Sequence, residues 1–383
     1  MNKNEKIFFL VLIIQNLAFN FAHPVTPTLI RNLNLPSFTF GVAFAAMALS
    51  SFLFSKFWAY ISTNKNEKMV FCVGCVFYGL AQILFMISKS IEGIVLARFI
   101  GGIFISAINV SSLMYIIKIS SEERKGTNIA LFTSLTAVMT AFGYLIGGFV
   151  GNEHIEYSFI LQCFTLIACG FIFAILGIRV HEKKQLNKNK IIKSFNLFKE
   201  LGHTESIKHI HVLLLIILLT FFASTIYEQT FNYFIRDVFE IMPASTGIIK
   251  TITGFCIIFI NTVVGNKLVK SNNLSLSTIV VFVLCSITCL ISILLLDKYL
   301  FLVLSFLFMS LSALQMTFVQ KIFVDVSSNE AIGTYNCMKS LGWVFGGLIA
   351  GYAYELSTLL PFEIVSVVFV IAFILLYRFK VKD

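Results

Sequence analysis

The sequence predicts an all-α integral membrane protein with twelve transmembrane helices in two pseudo-symmetric six-helix bundles. The composition is typical of membrane proteins: of 383 residues, 58% are hydrophobic and only 13% are charged, and the mean hydropathy is +0.89. Apolar segments long enough to cross a bilayer recur along the whole chain. A basic segment, residues 179–208, divides these segments into two groups.

A membrane-crossing helix needs roughly 20 predominantly apolar residues, and twelve segments of the chain are predicted to be such spans. The twelve spans are 7–30, 38–62, 69–88, 91–117, 127–151, 156–178, 210–237, 244–266, 275–296, 299–323, 331–356 and 360–379. The first is too long for a signal-peptide core and has no small-residue cleavage site, so it is predicted to be retained. All five prolines fall at the outer ends or outer loops of this arrangement. This is consistent with proline ending helices, because it lacks an N–H donor.

Segment 179–208 carries eight Lys/Arg and is predicted to lie in the cytoplasm, because positively charged loops are retained there. The predicted domains are therefore an N-terminal bundle over 1–178, a cytoplasmic linker over 179–208 and a C-terminal bundle over 209–383. With both termini in the cytoplasm, the large majority of the 29 Lys/Arg lie on that side. The predicted location is the plasma membrane of a bacterial cell, which a composition rich in Phe, Ile, Lys and Asn favours.

Several other classes of function find no support in the sequence. The net charge of +10 is compatible with a nucleic-acid-binding protein, but the basic residues lie between apolar spans rather than on one folded face. Cys72 and Cys75 lie inside a helix-length apolar segment with no second Cys pair, which favours packing over metal or redox chemistry. No P-loop, GxSxG or HExxH motif is present, so we expect no enzyme, no cofactor and no metal.

An internal repeat supports two related halves. Residues 120–127 (SSEERKGT) and 327–334 (SSNEAIGT) agree at five of eight positions. Each copy follows the fourth predicted span of its half and opens the fifth. A same-direction repeat of six spans is an arrangement that builds transport sites between two bundles.

Three local motifs resemble those of one transporter family. Leu96 to Gly102 (LARFIGG) places Arg98 inside span 4 with Gly102 four residues later. Gly143 to Gly148 (GYLIGG) resembles the motif GPxxGG, and its small residues at i and i+4, Gly143 and Gly147, are expected to let helices approach closely. Residues 59–68 occupy the position of a GxxxDRxGRK loop and keep Lys68. The chain resembles the major facilitator superfamily over essentially its whole length, in particular the twelve-span drug:proton antiporter branch.

That resemblance implies the major facilitator fold, with alternating access between two bundles. It implies a small-molecule substrate, proton coupling and a bilayer environment, with no nucleic-acid partner, and we expect a monomer. The most favoured activity is proton-coupled efflux of small amphipathic compounds. The residues expected to contribute to coupling and gating are Arg98, Gly102, Glu228, Lys250, Lys68, Gly143 and Gly147.

Polar residues inside the spans form stripes at helical spacing. Asn16, Asn20 and His23 recur at i, i+4 and i+7, and Asn336, Lys339 and Trp343 at i, i+3 and i+7. Polar groups facing lipid would be unsatisfied, so these stripes are predicted to face the bundle interior or a watery cavity. For any single Asn, an interhelical hydrogen bond is the simpler interpretation. The substrate-binding candidates are Asn16, Asn20, His23, Asn109, Glu228, Asn336, Lys339 and Trp343.

Glu228 is the only carboxylate well inside a predicted span, so it is the first candidate for proton coupling, with His23 second. Lys250 lies about as far after the outer turn as Glu228 lies before it, which predicts an ion pair. The alternative is that each charge reaches the outer interface separately. Arg98 either takes part in coupling or ties helices together.

Two alternative functions remain open at the level of sequence. Arg98, Lys250 and Lys339 leave the interior short of acids, which favours a transporter of a specific, anionic metabolite. The departures of residues 59–68 from the loop motif also leave open a polytopic sensor or scaffold that does not transport.

Overall fold

The computed structural model describes residues 3–64, 66–178, 210–269, 273–295, 297–326 and 332–382, and all regular structure in these ranges is helical. The helices are α1 (Lys3–Phe19), α2 (Thr26–Asn32), α3 (Thr39–Asn64), α4 (Glu67–Ile87), α5 (Ile91–Ile119), α6 (Glu122–Val150), α7 (Ile155–Leu176), α8 (Ile210–Asp237), α9 (Pro243–Ile260), α10 (Asn266–Val269), α11 (Leu274–Leu294), α12 (Lys298–Val326), α13 (Ile332–Leu356) and α14 (Leu360–Lys382). A π-helical turn, Asn261–Gly265, joins α9 to α10. The predicted linker lies outside the described residues.

Nine helices among the described residues are long and apolar enough to cross a membrane. Many large apolar side chains on them are exposed, such as Phe164 (70%), Ile175 (76%) and Val303 (60%). Exposed apolar faces of this extent are what helices in contact with lipid tails present. The chain is therefore an all-α, multi-pass membrane protein.

The first predicted span is not one continuous helix. α1 ends at Phe19 and α2 begins at Thr26. Pro24 explains the break, because it has no N–H to donate to the Asn20 carbonyl and its ring would clash with that carbonyl in a helix. The His23 N–H instead donates to the Asn20 carbonyl at 3.3 Å. The prediction of a single helix over 7–30 is therefore wrong, and His23 lies in a turn rather than on a helical face shared with Asn16.

The described residues form two compact units, which we describe separately. The N-terminal unit comprises the described parts of Met1–Leu35, Ala46–Leu197 and Ile241–Thr251. In it, α4 packs on α5 and α7, and α1 packs on α6 and α7. Its core includes a ring cluster in which Tyr115 and Phe173 are 4.8 Å apart and Phe8 contacts both.

The C-terminal unit comprises the described parts of Pro36–Ala45, Phe198–Glu240 and Ile252–Asp383. α8 packs on α13 and α14, and α11 packs on α12 and α14. Tyr227 of α8 stacks on Phe308 of α12, with ring centroids 3.7 Å apart, and its hydroxyl donates to Ser305 Oγ at 2.9 Å. Gly342 lets α13 approach α8 closely, since a Cβ there would lie 2.8 Å from the Phe221 Cβ.

Two glycines of the GYLIGG motif bring α6 against the end of α1 and the turn that follows it. A Cβ at Gly143 would collide with the Leu17 carbonyl oxygen, and one at Gly147 would collide with the Phe21 carbonyl oxygen. Small residues at i and i+4 permit such backbone contact between membrane helices. The predicted close approach at this motif is therefore observed.

Candidate functional site

Arg98 of α5 is buried inside the N-terminal unit, with 6% of its surface exposed. Its Nη2 donates to Thr26 Oγ1 at 3.2 Å, Nη1 lies 4.0 Å from Met47 Sδ, and Cζ lies 4.0 Å from the Phe85 ring centroid. Within the described ranges, no carboxylate contacts this guanidinium. Its charge is therefore accommodated by a hydroxyl, a thioether and an aromatic face.

Of the three predicted site residues on α5, Arg98 and Gly102 are buried and Asn109 is not. Gly102 packs directly against α3, where an added Cβ would collide with the Met47 carbonyl oxygen and the Ser50 hydroxyl. Asn109, seven residues further on, is exposed. The structure thus brings Arg98 and Gly102 together against the same part of α3 and leaves Asn109 apart from them.

Tyr144 of α6 joins two of the predicted site residues in the N-terminal unit. The His23 ring stacks on it with centroids 5.5 Å apart and an interplanar angle of 18°, and Lys250 Nζ lies 5.7 Å from its centroid. Lys250 is buried, with 7% of its surface exposed, whereas His23 is half-buried. A tyrosine at the position where the related motif has proline therefore provides an aromatic face between an imidazole and an ammonium group.

Asn16 and Asn20 are buried, and the amide groups of both side chains donate to backbone carbonyl oxygens of α1. Asn16 Nδ2 donates to the Leu12 carbonyl at 2.9 Å, and Asn20 Nδ2 donates to the Asn16 carbonyl at 2.8 Å. Asn20 Nδ2 also lies 3.3 Å from Thr140 Oγ1 of α6. The simpler interpretation, an interhelical hydrogen bond, therefore applies to Asn20.

A buried polar group near Arg98 was missed by the sequence reasoning. The Tyr78 hydroxyl lies beside the side chains of Gln82 and Gln162, and these three residues are at most 2% exposed. Gln162 Nε2 donates to the Phe19 carbonyl at 2.7 Å, whereas the hydroxyl and both amide oxygens have no hydrogen-bond partner among the described residues. Polar residues at i and i+4 within an apolar span, as Tyr78 and Gln82 are, were the available signal.

The loop between α3 and α4 holds ionic contacts on its α4 side. Glu67, which is 1% exposed, forms an ion pair with Lys118 of α5. Lys68 Nζ donates to the Gly177 carbonyl, just beyond the end of α7, at 2.8 Å. Lys68, the cation that this loop keeps from the family motif, therefore ties α4 to α7.

The C-terminal unit contains a further intramembrane cation, Lys339 of α13. Its Nζ lies 4.6 Å from the Trp343 ring centroid and 5.5 Å from the Phe221 ring centroid. Trp343 and Phe221 are themselves 6.2 Å apart in an edge-to-face arrangement. The predicted proximity of Lys339 and Trp343 is observed, while Asn336 on the same helix is exposed.

The two remaining predicted residues belong to different units. Glu228 is an exposed residue of α8 in the C-terminal unit, and Lys250 belongs to the N-terminal unit. Their ion pair stays a prediction. Another carboxylate, Glu355 at the end of α13, is exposed and accepts hydrogen bonds from Ser37 Oγ and, at 3.2 Å, from the Phe38 N–H.

No group of three or more His, Cys, Asp or Glu side chains suited to a metal ion occurs within the residues that the structure describes. Cys72 and Cys75 are buried free thiols of α4. The charged and aromatic groups set out above are therefore the chemical content of the candidate site.

The fold and the site define a polytopic helical membrane protein with cations inside apolar helices. The family is shown by comparison: residues 8–328 match the family model described as the Major Facilitator Superfamily, and the chain belongs to that superfamily. The expectation of a transporter rather than an enzyme is confirmed.

Similar proteins include drug-resistance proteins and other transporters. Multidrug resistance protein 1 of Bacillus subtilis is 25% identical over 388 residues, covering 96% of this chain and 94% of that protein. The quinolone resistance protein NorA of Staphylococcus aureus is 24% identical over 186 residues, covering 48% and 47%. A crystal structure of a POT family transporter in complex with 5-aminolevulinic acid shares the fold, with a TM-score of 0.76, 11% identity and coverage of 100% and 97%.

Proposed function

We propose that this protein exports small amphipathic compounds in exchange for protons, by alternating access between two six-helix bundles that together contain twelve spans. The observation that carries this proposal is the end-to-end similarity to a protein named for multidrug resistance. The internal repeat and the superfamily membership support the two-bundle arrangement. The domains proposed are 1–178 and 209–383, joined by the linker 179–208.

The substrate-binding residues proposed are those predicted from the sequence: Asn16, Asn20, His23, Asn109, Glu228, Asn336, Lys339 and Trp343. The contacts support them unequally. His23 beside Tyr144 and Lys339 beside Trp343 combine an aromatic face with a basic group, which suits amphipathic substrates. Asn16 and Asn20 are occupied by backbone carbonyls, so they support the site by holding α1 in shape.

Proton coupling is proposed to depend on Glu228, with His23 second. A carrier needs a group that exchanges its proton as the site opens to each side, and Glu228 lies well inside α8. Arg98 sets the electrostatic field near His23, and Lys250 bears on the ionisation of Glu228 by attraction. Gly102, Gly143 and Gly147 are proposed to set how closely the moving helices pack, and Lys68 to fix α4 against the end of α7.

The test is transport by purified protein in proteoliposomes with an imposed pH gradient, using a lipophilic dye as substrate. We expect gradient-driven accumulation by the wild type, strong loss in Glu228→Gln and a smaller loss in His23→Gln. Lys298→Gln, at the exposed start of α12, is the matched surface control. If both site variants keep wild-type accumulation, protons are not carried at these residues, and a uniporter or another coupling ion is the better assignment.

The Glu228–Lys250 pair has a separate test. Unfolding stability is measured for Glu228→Gln, Lys250→Gln and the double variant, and a direct pair predicts a coupling energy of about 0.5–3 kcal/mol. Additive effects of the two substitutions would instead mean that the charges act independently.

Cytoplasmic termini in a bacterial plasma membrane are part of the proposal, as is a monomeric state. A single Cys at Asn189, in the linker, is expected to react only from the cytoplasmic side in a Cys-free background. Labelling of intact cells by an impermeant reagent would reverse the orientation.

A non-transporting sensor is the second candidate, favoured by the departures of residues 59–68 from the loop motif. The flux assay separates the two, because a sensor binds the dye without accumulating it inside the vesicles.

A further inference from the structure

Lys339 has an environment unlike those of Lys118, Lys321 and Lys68, which each contact an oxygen atom. Lys118 pairs with Glu67, Lys321 pairs with Asp325, and Lys68 donates to a carbonyl oxygen. Within the part of the chain that the structure describes, the Lys339 ammonium group contacts only the ring faces of Trp343 and Phe221. Among the described residues, no oxygen accepts any of its three N–H donors.

An ammonium group inside a membrane helix is costly, and such residues generally mark a substrate or ion pathway unless they are paired. Two aromatic faces offset part of that cost but leave the N–H donors without acceptors. Lys339 is half-buried and Trp343 is 36% exposed, so a ligand can reach both. The missing acceptor is therefore one that a ligand can supply.

The neighbouring helix fixes the geometry of this group. Gly342 and Gly346 bring α13 against α8, where a Cβ at either position would lie within 2.8 Å of atoms of Phe221, Phe222 or Thr225. Phe221 is held further by an edge-to-face contact with Tyr335, at 6.2 Å. The rings beside Lys339 are thus set by helix packing before any ligand arrives.

We propose that Lys339, Trp343 and Phe221 form a subsite for the anionic group of an aromatic carboxylate. The carboxylate accepts hydrogen bonds from the Lys339 ammonium, and the ligand ring packs along Trp343. A cationic compound of the same shape is repelled by the ammonium, and an uncharged one gains only the ring contact. This inference rests on the proposed transport function and defines which amphipathic compounds the C-terminal unit accepts.

The test uses three compounds of nearly the same shape: 1-naphthoate, 1-naphthamide and 1-naphthylmethylammonium. Binding of radiolabelled 1-naphthoate to the full-length protein in nanodiscs is measured, with the other two as competitors. We expect 1-naphthoate to bind at least tenfold more tightly than the amide and the ammonium compound to compete least. Lys339→Gln should remove this preference, and Lys339→Arg should keep it.

Lys56→Gln, which removes another lysine from within a helix, is the matched control and should keep the preference for the carboxylate. Thermal unfolding of each variant shows that it is folded. Equal affinity for the three compounds in the wild type, or an unchanged preference in folded Lys339→Gln, would overturn the subsite.

The same variants in proteoliposomes separate this inference from the proposed function. Preferential binding of 1-naphthoate with no gradient-driven accumulation of either 1-naphthoate or the dye upholds the subsite and overturns transport. Gradient-driven dye accumulation without a preference for the carboxylate upholds transport and overturns the subsite.

Discussion

Arg98 and Lys339 are both cations inside apolar helices, yet the two units surround them differently. Arg98 is 6% exposed, and its guanidinium is held by Thr26, Met47 and the Phe85 ring. Lys339 is half-buried and, among the residues that the structure describes, its ammonium group contacts only aromatic faces. The N-terminal unit therefore uses its cation to join α5 to α2 and α3, whereas the C-terminal unit leaves its cation available to a ligand.

The presence of a charged residue in a span therefore does not by itself assign its role, which depends on what the charged group contacts. A guanidinium reaches several partners at once through its planar fork and stacks on rings, which suits a fixed junction between helices. An ammonium group on a flexible stem is a point charge that can turn toward a ligand. Substitutions at and around the two cations should therefore have unequal effects on stability.

The largest loss of stability is expected for a substitution at Gly102, which packs against α3 one turn from Arg98. In Gly102→Ala the new methyl group would collide with the Met47 carbonyl oxygen, and overpacking against backbone costs about 1–3 kcal/mol. Gly101→Ala is the matched control, because its methyl group would meet the Tyr78 ring at an ordinary 3.5 Å. Unfolding in mixed micelles of increasing denaturing-detergent content measures both. Equal stability of the two variants would mean that α5 and α3 are not held in close contact.

An exchange of cation type should separate the two regions next. Arg98→Lys keeps the charge but loses the fork that reaches Thr26 and Met47 and the stacking on Phe85, so we expect a loss of about 1–2 kcal/mol. Lys339→Arg should change stability by no more than about 0.5 kcal/mol, because an open aromatic site accepts either cation. The same unfolding assay applies. A larger loss in Lys339→Arg than in Arg98→Lys would reverse the comparison.

A smaller loss than in Arg98→Lys is expected on removal of the Thr26 hydroxyl, which accepts from Arg98 and donates to the Ala22 carbonyl at 2.8 Å. Thr26→Val removes both hydrogen bonds at nearly constant volume, and interhelical hydrogen bonds in membranes contribute about 0.6 kcal/mol on average. Thr28→Val is the control, since that buried hydroxyl has no hydrogen-bond partner within the described residues. We expect Thr28→Val to be neutral or slightly stabilising. Indistinguishable losses in the two variants would show that the Arg98–Thr26 hydrogen bond contributes nothing.

Much of the helical arrangement could be predicted from hydropathy. The predicted bounds 91–117, 210–237 and 360–379 agree with α5, α8 and α14 to within three residues at every end. The agreement follows from the bilayer, whose apolar thickness sets the length of each span. The first span failed because two short helices separated by a turn have the same hydropathy as one long helix, although Pro24 signalled the break.

The amino-acid pattern alone establishes that this chain crosses a membrane, that it belongs to a transporter superfamily and that Arg98, Lys250 and Lys339 lie within apolar helices. It also indicated the close packing at Gly143 and Gly147, because that depends on residue size at helical spacing. The contacts of each charged or polar group, in contrast, follow from the tertiary structure. Thr26 lies 72 residues from Arg98, and Phe221 lies more than a hundred residues from Lys339. Such contacts depend on which helices pack together and on the rotation of each helix about its axis. Hydropathy along the chain contains no information on either.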